Sequence, residues 1–321
     1  MKPKVSLKMK RYIDNYISTY NKEIKKIENP LKYGFTTKEV IKTILFLSQA
    51  EKRNHSTLYK NLSDDLLLSY LGIASISYLS VAVCQEDSQK PISKDFISEY
   101  SSMNPNFMFM NMLGNISNNA LAIVKLIETG LDTQARALVR VLAESIFITI
   151  YVITDQEAFW NYYNVKDTDE AKNTWFKYFR YAKLKNKLEV IENKVGFPQN
   201  LVNELVAMRD YIYKEYSSII HSYSISSNVG SYAVSFDDEF MNIAIGGKAS
   251  FSSKKTIHSL NWLLFYFSLM TKGIFQNIYH FKPPGNNEIW RMAVPLRECY
   301  IKVYFNVTYN EELESYSMNV T

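Results

Sequence analysis

The sequence predicts an all-α fold, a multi-helix bundle with a small β-hairpin addition, and two features of its composition predict it. Gly and Pro number only 10 and 8 of 321 residues, whereas Tyr and Phe number 24 and 18, a balance that favours long helices over many tight turns. Apolar residues make up 47% of the chain, which is enough for one large domain or two moderate ones with sizeable cores.

A basic N-terminal helical region, residues 1–90, is predicted to come first. Residues 1–60 hold 14 Lys and Arg against 5 Asp and Glu, a net charge of +9, and the remaining residues carry −4. Clustered positive charge attracts phosphates or an acidic partner, and a solvated helix face is the alternative. A buried helix over residues 64–84 is expected to follow, with Asp64 or Asp65 at its N-terminal cap.

The chain is expected to be cytoplasmic and not bound to a membrane. Cys84 and Cys299 lie far apart and no signal peptide is recognisable, which argues against a secreted disulfide scaffold. Residues 66–85 lack charged side chains over a length near the roughly 20 residues that span a bilayer. Their serines and a glycine make this segment too polar for an insertion prediction.

The main helical bundle is predicted over residues 105–321, after a polar connector that contains prolines. Two apolar helices are expected between Phe107 and Thr154, joined where Gly130 takes the left-handed conformation and Asp132 caps the next helix. Further helices are predicted at Asp167–Glu192, Pro198–Tyr223 and Ile257–Ile278.

Two segments alternate between apolar and polar residues, as half-buried strands do. The first, near residues 231–251, predicts a β-hairpin around Asp237 and Asp238. The second, Tyr300 to Tyr309, favours a late strand.

A polar stripe on the second hairpin helix is the first candidate site. Arg136, Arg140 and Glu144 follow one another at intervals of four residues, so they lie along one side of the helix. Their neighbours are apolar, and buried charges need partners, so Arg140 and Glu144 are expected to contact each other or the helix that carries His221. Either an internal ion pair that fixes packing or a clamp for phosphate or carboxylate fits this pattern.

A second stripe lies on the helix that Pro198 opens. Arg209, Tyr213, Ser217 and His221 are again spaced by four residues. His221 is a candidate general acid or base, Arg209 and Lys214 candidate anion ligands, and Ser217 a hydrogen-bond partner or nucleophile. The alternative is a core histidine whose ring bonds a backbone carbonyl.

Neither a metal ion nor another cofactor is expected. The four histidines lie far apart, and no His-x3-His or Cys-x2-Cys pair occurs. Gly246-Gly247-Lys248 lacks the rest of a phosphate-binding loop.

Residues 115–225 resemble a large bacterial family of unknown function found among phage-defence and toxin-like genes. The matching residues are Ala135-Arg136-x3-Arg140-x3-Glu144 and Tyr213-x3-Ser217-x3-His221. That family is distantly similar to the HEPN (higher eukaryotes and prokaryotes nucleotide-binding) bundles, many of which are metal-independent ribonucleases. His221 follows Arg209 by twelve residues here, whereas the HEPN pattern places the two on adjacent turns.

The resemblance implies a ribonuclease or nucleic-acid-processing toxin that binds RNA. In that case His221, Arg209, Ser217 and Glu144 would be catalytic, and Arg136, Arg140, Tyr213 and Lys214 would bind the substrate. The other hypothesis is a non-catalytic sensor or interaction module that binds a small anionic ligand or a protein partner.

A homodimer is also expected, since HEPN bundles often pair and the chain has surplus aromatic surface. The expected anchors are Trp160, Tyr163, Trp175 and Phe179.

Overall fold

The computed structural model describes residues 7–26, 36–84, 105–220, 232–234, 236, 241–243 and 246–308, and these form an almost wholly helical fold. The helices are α1 (Leu7–Ile24), α2 (Thr37–Ser48), α3 (Ala50–Val83), α4 (Pro105–Glu128), α5 (Asp132–Thr154), α6 (Gln156–Tyr163), α7 (Thr168–Thr174), α8 (Tyr181–Val195), α9 (Gln199–Ile220), α10 (Phe251–Gly273) and α11 (Glu288–Thr308). Two π-helical turns, Trp175–Phe179 and Ile274–Ile278, continue α7 and α10.

Helix α10 lies at the centre of the fold. It is apolar on nearly every side, and a helix without a polar face is stable only when it is surrounded. All its residues from Ser259 to Thr271 are buried, and α3, α4, α5 and α11 pack around it. A single core therefore extends from Leu58 of α3 to Tyr304 of α11.

The predicted helical hairpin of α4 and α5, with its turn at Gly130, is confirmed. Gly130 adopts a left-handed conformation with φ of 75°. The prediction for Asp132 is wrong: Asp132 is the first residue of α5, Leu131 precedes it without a side-chain cap, and the Asp132 carboxylate accepts hydrogen bonds from α10 instead. Helix α3 likewise starts at Ala50, well before Asp64 and Asp65, and is kinked at Leu62.

The single helix predicted from Asp167 to Glu192 is also wrong, because the chain is extended at Arg180. Asp167 does cap α7, since its carboxylate accepts the Glu170 N–H at 2.8 Å. Of the aromatic residues expected to anchor a dimer, Phe179 is buried, and Trp160, Tyr163 and Trp175 lie partly buried against the core.

The late strand predicted at Tyr300–Tyr309 is wrong, because this segment up to Thr308 is the end of α11. Tyr300, Ile301 and Tyr304 are its buried residues here, and they share one helical face. The Tyr300 hydroxyl donates to the Asn261 carbonyl at 3.2 Å, and Tyr304 stacks on Phe265.

Within the segment predicted as a β-hairpin, the structure describes a short antiparallel pair. Tyr232–Val234 pairs with Met241–Ile243, three residues on each side. The connecting residues 237–240 lie outside the described part of the chain.

Two helical stretches in the described part of the chain are long and apolar enough to cross a membrane. They are Thr37–Val83 and Asp132–Thr154, and 61% of the apolar window of each is buried inside the fold. Core helices of soluble proteins pass the same test, so the observation is weak evidence for a membrane span.

We expect Gly247→Ala to destabilise the fold by more than about 2 kcal/mol, because left-handed backbone is strained for a residue with a Cβ. Gly247 has φ of 84°, and an added Cβ would overlap the Thr129 carbonyl. Chemical denaturation would measure the change. Gly285→Ala is the control, since its Cβ meets no atom within 4 Å. Equal stability of the two variants would contradict the tight contact between Gly247 and the Thr129 carbonyl.

Candidate functional site

Helices α5 and α9 pack along a seam that joins the two predicted polar stripes. The Arg140 guanidinium donates to Glu144 at 2.5 Å, one turn along α5. Its central carbon lies 3.4 Å from the centroid of the Tyr213 ring on α9. The predicted contact of Arg140 with Glu144 and with the neighbouring helix is therefore confirmed.

Arg140 is held in a largely dry environment. Only 6% of its surface is exposed, and burial lowers the pKa of its guanidinium, with Glu144 opposing the shift. A buried charge of this kind is tolerated because it is paired and stacked on an aromatic ring. Arg140 is thus better placed to fix the packing of α5 on α9 than to bind a ligand.

Tyr213 is itself supported from α8. Its ring stacks on Tyr181 with centroids 4.1 Å apart, and the Tyr181 hydroxyl donates to Asp210 at 2.6 Å. Lys185 also pairs with Asp210. Burial acts to raise the pKa of Asp210, but the hydrogen bonds from Lys185 and Tyr181 keep that pKa below its ordinary value.

A second cluster crosses the seam at Arg136. Arg136 pairs with Glu215 of α9 at 3.2 Å, and Lys255 of α10 pairs with the same Glu215 oxygen at 2.7 Å. The side chains of Arg136, Glu215 and Lys255 are 14%, 29% and 51% exposed, so this cluster reaches solvent mainly through Lys255. The hydrogen bond to Glu215 raises the pKa of Lys255, which keeps the ammonium charged at neutral pH.

Arg209 is sealed inside the protein. Neither its side chain nor that of Glu192, its ion-pair partner on α8, is exposed, and Tyr266 of α10 donates to Glu192 at 2.8 Å. Burial raises the pKa of the Glu192 carboxyl, and Arg209 opposes that shift. Arg209 therefore cannot reach a bound phosphate without unfolding, and its predicted catalytic role is not compatible with this position.

The other predicted site residues, Ser217, Lys214 and His221, lie on or after α9. Ser217 lies on α9, and its hydroxyl donates to the Tyr213 carbonyl of the preceding turn. Lys214 is exposed to solvent on the same helix. His221 lies outside the described residues, which end in this part of the chain at Ile220.

Asp132 belongs to a polar cluster that sequence reasoning missed. Its carboxylate accepts hydrogen bonds from Ser252 at 2.6 Å and Thr256 at 2.7 Å, which ties the start of α5 to the start of α10. Glu215 and Lys255 were missed as well. Glu215 lies off the four-residue stripe, and Lys255 follows a serine-rich stretch, so neither position signals a partner in sequence.

Metal chemistry gains no support from the part of the chain that the structure describes, where no group of three His, Cys, Asp or Glu side chains could hold an ion. Comparison of the chain with family models, curated proteins and solved structures gives no match.

We expect Glu192→Gln to lower the free energy of unfolding by about 3–5 kcal/mol, because it leaves the Arg209 charge buried without a counter-charge. Urea denaturation would measure it. Replacing both members by Met should restore much of the loss, since a well-packed apolar pair avoids the desolvation cost. Glu23→Gln, in the exposed pair with Lys26, is the control, with less than about 0.5 kcal/mol expected. A Glu192→Gln effect no larger than that of the control would exclude a structural role for the buried pair.

Proposed function

We propose that this chain is a non-catalytic helical module that binds a small anionic ligand at the cluster of Arg136, Glu215 and Lys255. The observation that carries the proposal is the sharing of one Glu215 oxygen by two cations. One carboxylate cannot neutralise an arginine and a lysine, so the cluster keeps a net positive charge at a solvent-accessible position.

The surroundings of the cluster add to that positive charge. Lys214 on α9 and Lys254 on α10 are both exposed, next in sequence to Glu215 and Lys255. A guanidinium presents a planar array of donors that suits phosphate and carboxylate oxygens, and lysine adds a mobile point charge. Phosphate-bearing small molecules are the ligand class that fits this set best.

Binding is better supported than catalysis for two reasons. Arg209 is fully buried, so it is not available to stabilise a transition state. Ser217 donates its hydroxyl hydrogen to a carbonyl of its own helix, and no described base lies against it to activate it as a nucleophile. The accessible polar groups that remain are donors suited to holding an anion.

Isothermal titration with inorganic pyrophosphate tests the proposal. We expect Lys255→Gln and Arg136→Gln each to weaken binding by about tenfold or more, since a hydrogen bond to a charged group contributes about 1.5–3 kcal/mol. Binding should also weaken as salt rises. Lys302→Gln, an exposed lysine of α11 outside the cluster, is the matched control. Citrate in a parallel titration distinguishes phosphate from carboxylate preference. If wild-type protein binds neither anion, the proposal fails.

A metal-independent ribonuclease is the second candidate, and one observation favours it. One residue from each of the two motifs that carry the resemblance lies at the seam, with Arg140 over the Tyr213 ring. In this candidate His221 is the general acid or base, and the basic N-terminal region holds the RNA.

Incubation of the protein with total RNA, without added metal, tests this candidate. We expect a ribonuclease of this kind to lose about 10²–10⁴-fold in rate on His221→Ala, with its melting temperature unchanged. Ser217→Ala should leave the rate as it was, because that hydroxyl is already bonded to the Tyr213 carbonyl. Cleavage that persists in the His221 variant would point to a contaminating nuclease.

A further inference from the structure

Helices α3 and α4 lie side by side and share an outer face without charged residues. Residues 66–83 of α3 and 105–124 of α4 contain no Asp, Glu, Lys or Arg. The helices run antiparallel, since Ser80 donates to the Met110 carbonyl at 3.0 Å and Tyr70 donates to Glu128 at 2.7 Å. A helix that faces only water normally carries charges on its outer side, so this face calls for a different explanation.

The exposed residues of α3 form an apolar stripe with a heptad-like spacing. Leu67, Leu71, Tyr78 and Val81 are 59%, 41%, 39% and 49% exposed, and Ala74 lies half-buried between them. The intervals are four, three, four and three residues, the spacing by which one helix presents a seam to another. No described element covers Leu67, Leu71 or Tyr78.

The neighbouring face of α4 is apolar at both ends and amide-rich between them. Phe107 and Leu121 are 46% and 38% exposed. Between them stand the exposed Asn111, Asn115 and Asn118. Gly114 lies in their midst, and a Cβ added there would meet nothing within 4 Å, so another backbone could approach closely.

We infer that this face binds a second copy of the chain, with the two α3 helices antiparallel about a two-fold axis at Ala74. Leu67 and Val81 each lie seven residues from Ala74, and Leu71 and Tyr78 lie three and four residues from it. Leu67 then faces Val81 of the partner subunit, and Leu71 faces Tyr78 of the partner subunit. A small residue at the axis permits the close approach that the pairing needs.

The size of the face suits a stable dimer. With about 150–250 Å² for a full aromatic side chain and somewhat less for Leu and Val, the six apolar side chains offer on the order of 500 Å² per copy. The asparagines and the backbone around Gly114 extend this toward the ~800 Å² per partner of a standard interface.

The absence of charge favours a second copy as the occupant. A two-fold axis brings residues near it close to their own copies, so charged side chains there would repel each other. The asparagines of α4 argue against a lipid bilayer, because amides that find no partner in hydrocarbon are costly to bury. Across a protein interface the same amides can pair with each other.

This surface replaces the aromatic one expected from the sequence. Phe179 is buried within its own subunit, and Trp160 and Trp175 are already partly covered by the core. The inferred dimer is independent of the anion-binding proposal, since the Arg136 cluster is built from α5, α9 and α10.

Disulfide cross-linking tests the register. In a background with the exposed Cys84 and Cys299 changed to Ser, Ala74→Cys should give a disulfide-linked dimer on mild oxidation, because the two sulfurs meet at the axis. Leu67→Cys alone should not, whereas Leu67→Cys combined with Val81→Cys should. Equal cross-linking of the Ala74 and Leu67 single variants, or none by Ala74→Cys, would overturn the antiparallel arrangement.

Light scattering at micromolar concentration gives a second, independent readout. Wild type should show twice the 37.4 kDa of one chain, and Leu71→Glu should raise the dimer dissociation constant at least tenfold. Val190→Glu, at a 52% exposed position of α8, is the control and should leave the mass unchanged. A monomeric wild type overturns the inference, and a monomer that co-floats with phosphatidylcholine vesicles would assign the face to lipid instead.

Discussion

The buried ion pair of Arg209 and Glu192 is the constraint around which the second half of the fold is arranged. It joins α9 to α8, and the Tyr266 hydroxyl ties both to the central helix α10. Removal of two charges from water is costly, so the pair holds only while all three helices stay in register. Packing of α8 and α9 on the core thus depends on polar contacts that tolerate little displacement.

The cost of burying a charge also explains how the arginines of α5 are paired. Arg140 pairs with Glu144 of its own helix, and Arg136 pairs with Glu215 of α9, which packs against α5. The first ion pair is therefore complete within α5, while the second shares its carboxylate with Lys255 of α10. Two residues of one stripe differ in their partners because different helices pack against them, not because their spacing differs.

Sequence reasoning succeeded where a feature depends on neighbours within one helix or turn. The Gly130 turn and the Arg140–Glu144 contact are of this kind. It failed where distant segments meet: the partners of Asp132 and Arg136 lie on α10 and α9, and no local pattern specifies them. The error at Tyr300 to Tyr309 has another cause, since the segment alternates between apolar and polar residues as a strand does, whereas its buried Tyr300, Ile301 and Tyr304 follow a helical spacing.

The central position of α10 also affects how the chain is made. Helices α3, α4 and α5 are complete by Thr154, but the helix that they surround ends only at Gly273. At translation rates of about 5–20 residues per second, their surfaces that will contact α10 remain without that helix for roughly ten seconds. During that interval the nascent chain exposes apolar surface and is a natural client for ribosome-associated chaperones.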